Sequence, residues 1–513
     1  MPQICVSVGR TRHAVMRQIH ERFAQAGAEL IELRVDWLKR APDFKYLLTD
    51  RPSPVIVTCR RLKEFGKFKG TEDERLAILR NAVASGADYV DLEDDVAGKI
   101  PRYGDTKRIV SHHDLEKTPK DLESLHKRLA DLDPDVIKIA TMANSPVDAV
   151  RVLKLVKESE IPTVGFCMGE AGVFSRILCG RYGSPITYAT FSEDRQLAPG
   201  QMDFIKMRKT FRFEKISEKT AVFGVVGDPV AHSHSPVIHN AAFRADNLNA
   251  VYVPFLVPSD AFEETMKALE WLGVDGFSVT IPHKEAAARW TKYKTPAVEE
   301  SGAANTLYRN ERGRWAAENT DMSAALSTIR DALPEGETLS GKAVLMLGAG
   351  GVSKAIGLGL SKAGAALTVT NRTKARGKEL AKALGCKFVP WENRATVHAD
   401  VVVNGTRLGM SPDVDETPLP EHWIKEGCLV FDTVYNPENT LLLKDARRRN
   451  CTTASGLEMF VRQAADQYEC FTKRPAPVDV MREALRREIA VWRVKDDEEP
   501  GGEDGPAGSP VPA

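Results

Sequence analysis

Asp135-Val-Ile-Lys-Ile-Ala-Thr141 is a run of β-branched and apolar residues broken by a single lysine, Lys138. Runs of the same kind recur through the first 200 residues: Ile4 to Val8, Leu30 to Val35, Val55 to Cys59, Tyr89 to Leu92, Arg108 to Ser111, Thr163 to Cys167 and Ile186 to Phe191. Helix-like stretches such as Ala14 to Ala26, Glu72 to Ser85 and Asp148 to Glu158 separate them. Strands alternating with helices in this number predict a closed (β/α)8 TIM barrel; the competing arrangement is an open doubly wound sheet. The polar residues favour the barrel. Arg34, Asp36, Arg60, Glu93, His112 to Asp114, and Lys138 fall within or at the C-terminal ends of the predicted strands, where barrel active sites are built.

The pattern ends near Ala198-Pro-Gly-Gln201, which sets a barrel domain at 1–210, and the charged stretch Arg208 to Thr220 reads as a connector. A new strand, Ala221 to Val226, opens a second α/β region. Within it, Lys342-Ala-Val-Leu-Met-Leu347 followed by Gly348-Ala-Gly-Gly-Val-Ser353 has the strand-turn-helix form of a Rossmann-like nucleotide lobe. The expected division is a substrate lobe at 217–330, a nucleotide lobe at 340–450, C-terminal helices returning to the substrate lobe at 455–495, and a disordered tail at 496–513.

Composition excludes several classes. Lys+Arg and Asp+Glu both number 71, which removes the global basic excess of a nucleic-acid or anionic-membrane binder. Eight scattered cysteines form no CxxC pair and no cluster with histidine, so neither structural zinc nor a disulfide framework is expected. No apolar run reaches the roughly 18 residues of a membrane span. The N-terminus goes straight into the strand-like segment Ile4 to Val8, so no signal or transit peptide is expected. A cytoplasmic enzyme of small molecules, with no metal, fits these facts; a plastid location fits if a transit peptide has been removed.

Two chemistries are written into the chain. A lysine surrounded by Val136, Ile137, Ile139 and Ala140 loses hydration, which favours the neutral amine that attacks a ketone; strand alternation could instead turn it outward to water. One strand earlier, Ser111-His-His-Asp114 offers a residue able to move a proton beside an imine. Arg34, Arg60 and Arg176 can hold a carboxylate and hydroxyls. In the second region, the amides of Gly348, Ala349, Gly350, Gly351 and Val352 suit a pyrophosphate. The next strand ends in Asn371-Arg372-Thr373 with Arg376 nearby, where an NAD enzyme would carry an acid, so the 2′-phosphate of NADP(H) is favoured. Lys284 and Asp321 are plausible acid–base partners for the new alkoxide.

The residues also carry a family resemblance. Glu32-Leu-Arg-Val-Asp36, Thr58-Cys-Arg60, Ser111-His-His-Asp114 with Lys117-Thr-Pro119, Lys138-Ile-Ala140, Gly172-Val-Phe-Ser-Arg176 and Ala198-Pro-Gly-Gln201 resemble, in order, type I 3-dehydroquinate dehydratase. The resemblance implies a Schiff base at Lys138, proton transfer by His113 rather than His112, and binding of hydroxyls and carboxylate by Glu32, Arg34, Arg60, Arg176 and Gln201. Two positions depart from the family: Phe65 replaces a glycine and Leu197 a frequent serine.

The second half resembles shikimate dehydrogenase through Gly227-Asp-Pro-Val-Ala-His-Ser-His-Ser-Pro236, Thr280-Ile-Pro-His-Lys284, Gly302-Ala-Ala-Asn-Thr306, Asn319-Thr-Asp321, Asn404-Gly-Thr406, Asp432-Thr-Val-Tyr-Asn-Pro437 and Gly456-Leu-Glu-Met-Phe-Val-Arg-Gln463. This implies shikimate binding by Ser233, Ser235, Thr280, Asn305, Asp321 and Gln463, with Tyr435 near the substrate. Lys284 and Asp321 would be the catalytic pair. The cofactor set extends to Asn404, Thr406 and Gly456. Ala317 and Ala324 stand where the family commonly has glycine. The expected function is dehydration of 3-dehydroquinate to 3-dehydroshikimate, then NADPH-dependent reduction to shikimate in aromatic amino acid biosynthesis. The rivals are a metabolite-sensing regulator, which has no need of four reacting groups, and a second site for quinate, which the serine pair disfavours.

Overall fold

The computed structural model describes residues 2–192 and 196–497. The first eight strands are β1 (Gln3–Val8), β2 (Leu30–Arg34), β3 (Val55–Thr58), β4 (Tyr89–Glu93), β5 (Lys107–Asp114), β6 (Val136–Met142), β7 (Thr163–Met168) and β8 (Ile186–Thr190). They form one parallel sheet in the order β7-β6-β5-β4-β3-β2-β1-β8, so β1 pairs with both β2 and β8 and the sheet curls into a barrel. The ring is sealed between β7 and β8 by side chains: Phe166 and Tyr188 lie 5.9 Å apart across a seam that carries no paired ladder among the described residues. Cys5, Leu30, Ile56, Ile109, Val136 and Val164 fill the interior.

The stretch expected to be a connector is packed rather than free. A short helix, Phe204–Lys209, and a turn of 3-10 helix, Phe213–Lys215, bury Phe204, Met207, Phe211, Phe213 and Ile216 in the barrel's outer core. Its charges face outward, and apolar residues set between them at short intervals decide its fate.

Six strands follow: β9 (Ala221–Gly227), β10 (Ala250–Leu256), β11 (Val274–Val279), β12 (Tyr293–Lys294), β13 (Thr306–Arg309) and β14 (Trp315–Glu318). Their order is β10-β9-β11-β13-β14-β12, parallel through β10, β9 and β11 and antiparallel from β11 to β13 to β14. This lobe shares one core with the barrel. Phe174 meets Phe255 at 5.0 Å, Tyr182 stacks on Trp271 at 4.9 Å, and the Tyr182 hydroxyl donates to the Leu272 carbonyl at 3.0 Å. Residues 1–319 with Cys470–Lys473 accordingly form one compact unit.

The second unit holds β15 (Ala343–Leu347), β16 (Ala366–Thr370), β17 (Lys387–Phe388), β18 (Val401–Asn404), β19 (Leu429–Asp432) and β20 (Thr452–Ala454). All are parallel in the order β17-β16-β15-β18-β19-β20, the doubly wound dinucleotide topology with its switch point between β15 and β18. The two compact units divide the chain at other points than the expected lobes. The helix Thr320–Ala332, assigned by sequence to the substrate lobe, belongs to this unit because Ala324, Ala325 and Ile329 pack with Ile356 and Leu360. Of the C-terminal residues 455–495, only Cys470–Lys473 count with the first unit, where Phe471 lies against Phe223 and His239. The last helix, Val478–Asp497, extends two residues into the expected tail, and 498–513 lie outside the described residues. No helix among the described residues is long and apolar enough to cross a membrane.

Candidate active sites

The barrel mouth is a charged pocket, not the apolar one expected around Lys138. Lys138 lies on β6 with 4% of its surface exposed; its Nζ donates to Asp91 Oδ2 at 2.9 Å, sits 4.0 Å from Glu32 Oε1, and lies 4.1 Å over the ring of Tyr188. The parallel register of β5 and β6 sets Ser111 beside Lys138 and His113 beside Ala140. Alternation then separates the two histidines. His113 lines the pocket with Lys138, its Nδ1 3.4 Å from Arg60 Nη1 and 3.8 Å from Glu64 Oε2, whereas His112 Nδ1 meets Asp94 at 3.0 Å. Burial, reinforced by Arg60 and Lys138, holds His113 well below its ordinary 6.5, so the ring is a neutral base at neutral pH.

Asp91 is the residue sequence reasoning missed. It sits on β4 two positions before Glu93, on the same face, and takes Lys138, Arg60 (2.8 Å) and the Ser111 hydroxyl (2.6 Å). Burial alone would raise its pKa, but Arg60 and Lys138 prevail and hold the carboxyl well below the usual range. Glu93 in turn accepts from Arg60 at 2.9 Å and from Arg75 at 2.7 Å. Arg75 is aimed inward by a helix, Glu72–Ala84, that starts on a Thr71–Glu74 capping box. The signal in the sequence was the Asp-x-Glu spacing on an otherwise apolar strand. Tyr188, under Lys138, had no such signal.

The three arginines expected to hold a substrate are not equivalent. Arg34 forms two 2.9 Å bonds with Asp36, and Arg60 is shared among Asp91, Glu93 and Glu64. Arg176 has no acidic partner among the described residues. It is 1% exposed, its guanidinium lies 4.3 Å over the Phe166 ring, and it donates to the Pro199 carbonyl at 3.4 Å, while burial pushes its pKa down to about 10. Glu32 accepts from Thr58 at 2.9 Å, and Gln201 accepts from the Leu197 amide at 3.0 Å; both also line the pocket. Phe65, in place of the family's glycine, adopts φ +57°, a left-handed conformation that costs a non-glycine residue about 1 kcal/mol. It also lines the mouth, and its carbonyl accepts from Arg34 at 3.4 Å.

In the adjoining lobe, the expected substrate residues follow the C-terminal ends of β9 and β11. Ser235 opens the helix Ser235–Ala245 and its amide donates to Ser233 Oγ at 3.3 Å. Thr280 follows β11 and donates its amide to Val226 at 2.9 Å; the Asn305 carbonyl accepts from Val279 at 2.7 Å, and that of Lys284 from Ala304 at 2.8 Å. These bonds draw Thr280, Lys284 and Asn305 to one edge of the sheet. Ala317 is fully buried in β14.

The nucleotide lobe was tested for a dinucleotide. Gly348 has φ +108°, and a Cβ there would stand 2.9 Å from the Gly405 carbonyl, so only glycine fits. Beyond Gly350 and Gly351 the space is open, and the helix Gly351–Lys362 has no side-chain cap, leaving its first amides for a phosphate. Ala349 lies in the same turn and Val352 in the first turn of that helix. Arg372 and Arg376 are exposed after β16 with no ion pair among the described residues; Asn371 Nδ2 donates to the Thr373 carbonyl at 2.8 Å and shapes that turn. These residues fit NADP(H). Asn404 is fully buried, its side-chain amide donating to Asp432 at 2.9 Å and its side-chain carbonyl accepting from the Thr406 hydroxyl at 2.7 Å, so it shapes the turn that presents Thr406. At Gly456 a Cβ would fall 2.4 Å from the Thr433 carbonyl, so the close approach there requires glycine. Asp321 is the second residue of the helix Thr320–Ala332, the Thr320 hydroxyl donates to the Gln463 carbonyl at 3.0 Å, and the Tyr435 ring lies tilted against Phe460 at 4.5 Å. Among the described residues no group of three or more His, Cys, Asp or Glu side chains is placed to hold a metal ion.

The barrel pocket and the dinucleotide lobe define a two-enzyme chain, a barrel lyase followed by an oxidoreductase. Comparison with known proteins assigns each part. Residues 4–218 match the type I 3-dehydroquinase model, 225–307 the shikimate dehydrogenase substrate binding domain, 331–409 shikimate / quinate 5-dehydrogenase, and 456–486 the shikimate 5'-dehydrogenase C-terminal domain. The bifunctional 3-dehydroquinate dehydratase/shikimate dehydrogenase, chloroplastic, of Arabidopsis thaliana is 38% identical over 481 residues, covering 89% of this chain and 79% of its own. Shikimate dehydrogenase (NADP(+)) of Caldanaerobacter subterraneus is 36% identical over 54% of this chain and 100% of its own. A solved shikimate dehydrogenase in complex with NADP+ superimposes with a TM-score of 0.50, at 32% identity over 53% of this chain and 96% of its own. The chain belongs to the bifunctional 3-dehydroquinate dehydratase/shikimate dehydrogenase family and is an enzyme of the shikimate pathway.

Proposed function

We propose that Lys138 forms the Schiff base with the ketone of 3-dehydroquinate and that His113 carries the proton. The observation behind this reading is one pocket holding a buried lysine, a histidine kept neutral by its surroundings, and an arginine with no acid partner among the described residues. Lys138 Nζ attacks the ketone carbon once its proton has passed to a neighbouring base, and the carbonyl oxygen leaves as water. The resulting iminium stays positive beside Asp91, which compensates the cation both before and after the bond forms. His113 takes the proton from the carbon between the iminium and the tertiary alcohol, then returns it to the departing hydroxyl. Hydrolysis frees Lys138 and gives 3-dehydroshikimate. Arg176 holds the substrate carboxylate, and Glu32, Arg34, Arg60 and Gln201 face its hydroxyls. Borohydride added with 3-dehydroquinate should leave a reduced adduct on Lys138 by peptide mass; an adduct that survives in Lys138→Ala overturns the assignment.

The product is the ketone that the second half reduces to shikimate. NADPH, when bound, supplies the hydride. The amides from Gly348 to Val352 hold its pyrophosphate, and Arg372, Thr373 and Arg376 the 2′-phosphate, with Asn371 and Thr406 completing the seat. Ser233 and Ser235 bind the shikimate carboxylate, Thr280, Asn305, Tyr435 and Gln463 its hydroxyls, and Lys284 protonates the new alkoxide with Asp321 as its carboxylate. The serine pair favours shikimate over quinate. Free, mostly buried thiols support a reducing compartment, either the cytoplasm or a plastid.

A further inference from the structure

Two of the eight free cysteines meet inside the nucleotide lobe. Cys428 immediately precedes β19 and Cys451 immediately precedes β20. These strands run in parallel with Leu429 opposite Thr452, and the Thr452 amide donates to the Cys428 carbonyl at 3.1 Å. The register therefore fixes the two cysteines side by side. Their sulfurs lie 3.6 Å apart, buried to 4% and 8% exposure. Neighbouring strands stand about 4.8 Å apart, inside the roughly 4.4–6.8 Å of Cα separation that a disulfide spans, so closure asks for side-chain rotation and little backbone movement.

We propose that Cys428 and Cys451 form a reversible intrachain disulfide, by exchange with a low-molecular-weight disulfide, that clamps edge strand β20 to β19. The deprotonated Cys451 Sγ attacks one sulfur of the small disulfide and expels its partner as a thiolate, leaving a mixed disulfide. Cys428 loses its proton and attacks Cys451 Sγ, forming the protein bond and expelling the second thiolate. The two cysteine sulfurs are oxidised, the small disulfide is reduced to two thiols, and the two cysteine protons end on them. Cys451 acts first because it is the more exposed and because burial pushes the Cys428 thiol up to about 12.

The position of the bond decides its effect. It joins the N-terminal ends of two parallel strands, whereas Gly348 and Thr406 follow the C-terminal ends of β15 and β18, so the nucleotide turn is left open. The segment it closes includes Asp432, Tyr435 and the helix Leu441–Arg448, and β20 runs into Gly456, which rests on Thr433 and Val434. The clamp fixes that contact and restricts the unfolded chain.

The test uses full-length protein equilibrated with glutathione disulfide, then denatured, alkylated and weighed. The expected result is a fall from eight thiols to six, a loss of two, with a linked peptide pair containing Cys428 and Cys451. The melting transition of the nucleotide lobe should rise by a few degrees, dithiothreitol should reverse both changes, and shikimate oxidation should persist. Cys451→Ser and Cys428→Ser should each show no shift and keep the activity of the reduced parent. Eight thiols remaining at equilibrium, a bond between any other cysteines, or a glutathione adduct as the end product would overturn the proposal.

Discussion

Replacing Arg176 with methionine should stabilise the protein and cripple the dehydratase. Burial lowers the guanidinium from 12.5 to about 10 with no acid beside it among the described residues, so its charge carries about 3 kcal/mol of desolvation that they leave uncompensated in the free protein. Its folded pKa is depressed, so this penalty is present at every pH below 10 and would be relieved only as pH rises through that value. Methionine keeps the unbranched stem as far as the Nε position but forfeits a cation–π interaction of about 1 kcal/mol with Phe166. The net gain is about 1–2 kcal/mol, a rise of roughly 2–8 °C in the transition that abolishes dehydratase activity. The substrate carboxylate relieves the same penalty on binding, and its charge-assisted bonds add about 1.5–3 kcal/mol. Losing even 3–4 kcal/mol of this raises KM for 3-dehydroquinate by a few hundred-fold. Enone absorbance measures the rate and a thermal inactivation series the stability. A variant that melts below the parent, or one that keeps the parent KM, refutes the assignment of Arg176 as the carboxylate site.

Because His113 is held well below 6.5, the acid limb of dehydratase kcat/KM should lie well under that pH; a limb centred near 6.5 would mean that the base is not this residue. Lys284→Ala should reduce shikimate oxidation at least 100-fold while dehydration, followed separately, is unchanged; parallel loss of both would point to a structural role. Arg372→Ala should weaken NADP by about 10-fold or more and NAD hardly at all, checked by the ratio of the two KM values.

The barrel was legible because each buried strand announces itself as a short β-branched run and because polar residues such as Arg34, Arg60 and Lys138 stand where those runs end. Site residues were legible where chemistry singles out one group against an apolar background. Asp91 escaped because it lies inside its strand, two residues before the more prominent Glu93, and its importance comes from Lys138 and Arg60, distant in sequence. The apolar setting expected for Lys138 failed for the same reason: local neighbours describe the strand's own faces, and the carboxylates arrive from β2 and β4. The arginines looked alike in sequence, and only their partners distinguish Arg176. The packing of Phe213 and Ala324 was not legible, because whether either is core depends on what comes to cover it.

The shared core of barrel and substrate lobe changes how the gene fusion can be taken apart. A cut at residue 217, the natural place to separate two enzymes, would expose Phe174 and Tyr182 on one fragment and Phe255 and Trp271 on the other. The seam along which the chain parts into compact units falls instead at Asn319, inside the second enzyme. A cut at the metabolic boundary would thus sever a shared core, and each fragment would have to cover its half of it anew.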